Sequence, residues 1–170
     1  NEIKKELAKQ GLTVKIDSRD THKPGWKFAE YELKGVPVRL AMGPRDLEEG
    51  TLEVARRDTL EKNSISIDEV GSYIPNLLEE IQNNLFQKAL NFRSEHTTAV
   101  DDFDQFQKAL EETGGFVSAH WDGTEETENK IKELTKATIR CIPLDSEKST
   151  GKCVFSSKDS DQRVLFAKAY

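Results

Sequence analysis

The chain has 170 residues, 25 Lys+Arg against 31 Asp+Glu and a net charge of −6, with 35% hydrophobic and 33% charged residues. That composition supports a core that is thin or divided, in one medium domain or two small ones. It excludes a transmembrane protein, because no apolar run approaches the ~20 residues needed to cross a bilayer. No signal-peptide pattern opens the chain, and Asn1 to Leu7 reads as the inside of a helix, which suggests a fragment. Two cysteines cannot form a disulfide framework and point to a reduced, cytoplasmic setting. Charge is unevenly spread: residues 68–133 hold 15 carboxylates against 5 bases, and residues 134–170 hold 7 bases against 4 carboxylates. An anionic partner is therefore expected at the first or last part, not the middle.

In chain order, Ile3, Leu7 and Leu12 frame a short amphipathic helix ended by Gly11. Val14 to Asp17 alternates and predicts a strand. A polar loop, Ser18 to Lys23, leads to Pro24-Gly25, which opens a helix through Leu33 stopped by Gly35. Val36 to Met42 predicts a strand, Gly43 to Asp46 a turn, Thr51 to Arg56 the antiparallel partner of 36–42, and Ser64 to Ile67 another extended piece. Ser66 or Asp68 caps a long helix to about Glu95, with Gly71 and Pro75 making its start irregular. Asp101 begins a helix ended at Gly114-Gly115. Phe116 to Trp121 predicts a strand and Thr124 to Thr135 a capped helix. Thr138 to Ile142, Lys152 to Phe155 and Arg163 to Ala169 predict three strands. The expected fold class is α/β (α+β): a mixed-sheet domain at 1–95 that includes the long helix, and a second small α/β domain at 96–170.

Aromatics, cations and carboxylates interleave most densely from Lys23 to Arg39, then at Gly43 to Asp46. Residues 22–44 carry four basic groups and two carboxylates. Single-stranded RNA needs such a mixture: ring faces to stack bases and cations for phosphates. A carboxylate accepts both donors of guanine's Watson–Crick edge, and arginine forks onto guanine's acceptors. The alternative from composition alone is an ordinary helix with Trp26 and Phe28 buried and a solvated charged face. Other constellations are weaker. His96, His120, Ser118 and Asp122 lack nucleophile-elbow spacing, Glu79-Glu80 and Glu125-Glu126 are solvated helix positions, and His22 is expected to be exposed.

The run Pro24-Gly-Trp-Lys-Phe-Ala-Glu-Tyr-Glu-Leu-Lys-Gly-Val-Pro37, then Gly43-Pro-Arg-Asp46 and Val54-Ala-Arg-Arg57, resembles the anticodon-binding domain of prolyl-tRNA synthetases. The tail Arg163 to Tyr170 resembles the C-terminus of the archaeal/eukaryote-like type. The resemblance implies an α/β anticodon-binding domain lacking its first strand, followed by the C-terminal domain often called zinc-binding. It implies that Phe28 packs or stacks at the anticodon loop and that Glu32 and Asp46 accept from guanine edges. Arg39 and Arg45 would read guanine acceptors or clamp phosphate, with Arg57 and Lys62 nearby; Lys27 and Lys34 would be solvated helix charges. The carboxylate of Tyr170 would reach toward a catalytic domain that this chain does not contain. The implied whole enzyme activates proline with ATP and magnesium, charges tRNA(Pro), and works as a homodimer in the cytoplasm, without DNA or membrane partners. The alternative is a stand-alone interaction module that kept the fold, with the acidic 68–133 segment as its partner surface. Zinc-binding members use four cysteines; here only Cys141 and Cys153 stand, with Ser156 where the partner of Cys153 would be. Two thiolates do not close a structural zinc site, so both are expected to be small core residues.

Overall fold

A computed structural model describes residues 2–144 and 148–169. The chain divides into two units, Asn1–Lys88 and Ala89–Tyr170. Among the described residues no helix is long and apolar enough to cross a membrane.

The first unit contains α1 (Glu2–Lys9), α2 (Pro24–Leu33), β1 (Val38–Ala41), α3 (Pro44–Glu49), β2 (Thr51–Arg56) and β3 (Lys62–Ser66). It also holds the start of α4 (Val70–Glu95), entered through one 3-10 turn at Ile67–Glu69. The sheet runs β1-β2-β3 and is antiparallel throughout. Strand alternation splits its two faces. Leu40 pairs with Val54, and Leu52 with Ile65. These side chains bury against Leu7 of α1 and against Val70, Ile74, Leu77 and Ile81, which recur at helical spacing on α4. The opposite face carries the row Arg39–Ala55–Lys62 across the three strands, with Glu53 beside it on β2.

Local chemistry accounts for the start of α4. The Ser66 hydroxyl accepts from the Asp68 amide, and the Glu69 carboxylate accepts from the Ser66 amide, a reciprocal cap. Pro75 has no N–H for the carbonyl four residues back, that of Gly71. The Gln10 side-chain amide donates to that carbonyl instead, at 2.8 Å. The helix therefore passes through Gly71 and Pro75 without interruption, where the sequence suggested irregularity.

Two further expectations in this unit are corrected. Val14 to Asp17 joins no ladder: Val14 packs against the core, and the Asp17 carboxylate takes both Nε and Nη2 of Arg19, at 2.9 and 2.6 Å. Gly43 to Asp46 is not a free turn but the start of α3. Pro44 stands at the first helical position, and Asp46 accepts from the Gly43 amide at 2.7 Å.

The second unit contains β4 (Thr97–Ala99), α5 (Phe103–Lys108) continuing into a π turn (Ala109–Thr113), β5 (Phe116–His120) and α6 (Glu125–Thr135). After these come β6 (Ala137–Cys141), β7 (Gly151–Lys152), β8 (Asp159–Ser160) and β9 (Arg163–Lys168). The four-stranded sheet runs β4-β5-β9-β6, with β4 parallel to β5 and the other pairs antiparallel. The α/β class is as expected, and the mixed pairing lies in this sheet. The core joins Phe106, Leu110, Val117, Ala119, Ile131, Val164 and Phe166. The Phe106 and Phe166 rings meet edge to face at 5.1 Å. Gly115 is required where it stands: its φ is +73°, and a Cβ would strike the His96 carbonyl oxygen.

Lys152 to Phe155 is not a continuous strand. Only Gly151 and Lys152 pair, with Ser160 and Asp159. The chain then turns tightly, with the Cys153 amide donating to the Lys158 carbonyl and the Ser157 amide to the Cys153 carbonyl. A carboxylate organises this corner. Asp122 Oδ1 accepts from the Thr124 amide and hydroxyl at 3.1 and 2.8 Å, and Oδ2 accepts from the hydroxyls of Thr127 and Ser156 at 2.8 and 2.6 Å. Burial raises the carboxyl's proton affinity, but these bonds, Ser156's the largest, outweigh it and hold the pKa down to about 2.

Candidate nucleic-acid interface

The outer face of the first sheet gathers three of the residues singled out from sequence. β1 projects Arg39 away from the core, and α2 places Phe28 beneath it. The guanidinium carbon lies 3.6 Å from the centre of the Phe28 ring. This stack fixes the guanidinium plane. It also buries Arg39 Nε, which has no hydrogen-bond partner among the described residues. Arg39 Nη1 donates to Glu53 Oε1 at 3.0 Å, while Lys62 Nζ stands 3.7 Å from Glu53 Oε2. One carboxylate thus divides its two oxygens between cations on the two flanking strands. Residue-by-residue reading of the sequence did not find Glu53; its partners follow only from the register that sets Arg39 and Lys62 opposite Ala55.

The remaining candidates are distributed around this cluster. Glu32 follows Phe28 by one helical turn on α2 and is exposed. Its backbone carbonyl accepts from Arg57 Nε at 2.8 Å, and the Arg57 amide donates to the Pro37 carbonyl. Arg57 therefore ties the end of α2 to the strand region. Asp46 spends one oxygen on the Gly43 amide, which fixes the direction of its carboxylate. Arg45 is solvent-exposed and pairs with Glu49 one turn along α3, at 2.9 Å. Tyr170 lies outside the described residues.

The other side of α2 has its own network. Arg19 Nη2 reaches Glu30 at 2.5 Å as well as Asp17, and Lys27 donates to the Arg19 carbonyl. Hydrogen bonds from Lys34 and then Arg19 lower the proton affinity of Glu30. Lys27 is thus mostly buried and engaged, not a solvated charge, with 17% of its side chain exposed. Trp26 is half exposed and stacks on His22 at 4.0 Å, so the alternative of an ordinary helix with Trp26 buried is not observed, and His22, expected to be exposed, is half-buried.

A carboxylate that accepts, an arginine held in one plane and a ring that stacks are the parts needed to tell base edges apart and hold phosphates. The two cysteines are differently placed: Cys153 is buried and Cys141 exposed, so only Cys153 fits the expectation of a core residue. They do not fit a closed zinc site, since the Ser156 hydroxyl is committed to Asp122. Among the described residues, no group of three His, Cys, Asp or Glu side chains is placed to hold a metal ion.

Comparison with known proteins identifies the two domains. A family model described as an anticodon binding domain matches residues 1–77, and one described as the C-terminal domain of prolyl-tRNA synthetase matches residues 103–170. The proline--tRNA ligase of Christiangramia forsetii is 61% identical over 170 residues, covering 100% of this chain and 35% of that protein. The corresponding ligase of Flavobacterium johnsoniae is 58% identical, again over 100% of the chain and 35% of the relative. The crystal structure of prolyl-tRNA synthetase from Cryptosporidium parvum, complexed with L-proline and AMP, superimposes with a TM-score of 0.90 at 39% identity. It covers 99% of this chain and 36% of that one. The chain spans about a third of the length of the curated relatives it matches. With both domain models in order and 58–61% identity along the whole of this chain, it belongs to the prolyl-tRNA synthetase family and spans that family's anticodon-binding and C-terminal domains.

Proposed function

We propose that α2 and the outer face of the first sheet read the anticodon of tRNA(Pro), on behalf of a longer protein that joins proline to that tRNA using ATP and magnesium. That protein would act in the cytoplasm as a homodimer. The observation that carries the reading is the Arg39 guanidinium stacked on Phe28 and bonded to Glu53. The stack and the bond to Glu53 hold the guanidinium in place for a guanine edge or a phosphate, and the Phe28 ring beneath it lies one helical turn from Glu32 on α2. Proline anticodons share two guanines, whose donor edges suit Glu32 and Asp46 and whose acceptor edges suit Arg39 and Arg45. Lys62 supplies charge for the backbone. Arg57 acts from behind by holding α2. Tyr170 would serve the catalytic part of the longer protein, so its removal should lower proline activation and spare RNA affinity. The C-terminal domain would hold no zinc.

The test is fluorescence anisotropy of the chain with two anticodon stem-loops that differ only in the two guanines. Wild type should prefer the guanine-bearing loop. Phe28→Ala should weaken it about tenfold or more, as expected for about 1–3 kcal/mol of lost stacking. Equal affinity for both loops would sink the reading.

A further inference from the structure

We propose that Glu53 is a positioning residue that sets the selectivity of this face, at the expense of its raw affinity for RNA. The inference rests on the anticodon reading above. A carboxylate in the middle of a surface meant for a polyanion is unfavourable for binding as such. Its place must therefore be explained by what it does to its neighbours.

Glu53 stands on the middle strand, and its side chain is 37% exposed. One oxygen holds Arg39 Nη1 at 3.0 Å and the other faces Lys62 Nζ at 3.7 Å. Arg39 and Lys62 stand opposite the same residue, Ala55, one on each side. Two strand spacings put them about 10 Å apart. Between them is only the small Ala55 side chain, and the Glu53 carboxylate is the group that bridges their heads. Arg39 is further held by Phe28, but a stack leaves the guanidinium free to rotate within its plane. The bond from Nη1 to Glu53 removes that rotation. With it, the fork presents one orientation and meets only a matching pair of acceptors. Without it, both cations become general phosphate binders.

Two opposite effects follow from Glu53→Ala, which removes the charge and the acceptor together, whereas Glu53→Gln removes the charge but keeps an oxygen that accepts from Arg39 Nη1. Affinity for a stem-loop lacking the two guanines should rise about threefold, because a negative charge is gone. Preference for the guanine-bearing loop should fall about tenfold, because the fork is no longer aligned. The slope of log affinity against log salt for the altered loop should steepen by about 0.7, one more phosphate neutralised on single-stranded RNA. The melting temperature of Glu53→Gln should barely move, since its amide oxygen still accepts from Arg39 Nη1, while Glu53→Ala leaves the mostly buried Arg39 guanidinium without that bond and should melt somewhat lower.

The experiment measures both stem-loops by anisotropy across a salt series, with wild type, Glu53→Gln and Glu53→Ala, and melts each variant. Weaker discrimination with a steeper slope in Glu53→Ala, and a steeper slope with discrimination largely kept in Glu53→Gln, supports the proposal. Unchanged discrimination in both variants, alongside a discriminating wild type, overturns it. So does an equal loss for both loops together with a lowered melting temperature, which would make Glu53 a stabilising residue only. If wild type itself fails to discriminate, the anticodon reading falls and this inference with it.

Discussion

Asp122 offers a prediction whose size follows from the structure by two routes. The carboxylate receives four hydrogen bonds, and Thr127, one of its donors, is 5% exposed. Asp122→Ala would remove a charged acceptor and strand hydroxyls in a partly buried corner, at about 2–3 kcal/mol. The proton-linkage route is independent. The carboxyl sits at about 2 in the folded chain against ~3.9 for a free aspartate. Because the folded value is the lower one, the contribution is complete above about pH 4 and is lost as pH falls through about 2. Taken at face value the difference is worth about 2.6 kcal/mol at pH 7, and partial exposure reduces it to about 1–2. At pH 2.5 about a third of it should remain.

The assay is urea unfolding followed by the fluorescence of Trp121, whose indole N–H donates to the Thr124 carbonyl in this same corner. A Trp26→Phe background silences the other tryptophan, which lies in the first unit. The informative quantity is the stability gap between the parent and Asp122→Asn at pH 7 and at pH 2.5. A gap of the same size at both pH values would refute the reasoning, since it would show that the ionised carboxylate is not what the corner needs.

Asp58 should behave similarly in the first unit: its carboxyl is 2% exposed, is held by Arg56 Nε and Nη2 at 2.8 Å each, and accepts from Asn84 at 2.7 Å. Arg56 keeps its proton affinity well below the usual carboxylate range, so its contribution is present above about pH 4 and lost on further acidification. Asp58→Ala removes both hydrogen bonds from a mostly buried guanidinium, leaving it Glu80 at 3.6 Å, and should cost about 2–3 kcal/mol, measured by urea unfolding with Trp26 as the probe. Elemental analysis of the purified chain after dialysis without chelator should find no stoichiometric zinc, and one zinc per chain would reverse the reading of Cys141 and Cys153. Gly151→Ala should lower the melting temperature of the second unit markedly, because the added methyl would collide with the His120 ring.

Long periodic segments were legible from sequence because burial on one face dictates their spacing. Val70, Ile74, Leu77 and Ile81 announce α4, and Thr124 announces α6 through its side chain, which accepts from the Thr127 amide. Short segments were less so. Val14 to Asp17 alternates as a strand does, but it pairs with no neighbouring strand, and Asp17 accepts instead from the Arg19 guanidinium two residues on. Gly43 to Asp46 carried a helix signal, Pro at the first position and an acid two residues later, that the turn reading overlooked. At the candidate interface the residue types were visible in the run from Lys23 to Arg39. Glu53 was not, because strand register is a tertiary property: nothing between residues 39, 53 and 62 says they share a face until pairing is known.

The glycine over His120 constrains variation at a place that looks free to vary. Gly151 belongs to a two-residue ladder in an otherwise irregular connection, the sort of surface loop where substitutions and tags are normally accepted. Its backbone has no left-handed angle, so the demand comes from space alone. The ring that fills this space is 4% exposed and meets the Ser160 hydroxyl at 3.2 Å. Positions 120 and 151 should therefore vary together: a smaller residue at 120 licenses a side chain at 151, and a double-mutant cycle of His120→Ala with Gly151→Ala should show the second change losing most of its penalty. A chemist attaching a label or grafting a peptide to this hairpin should choose Lys158, exposed and two residues past the buried corner's Ser156, and leave position 151 alone.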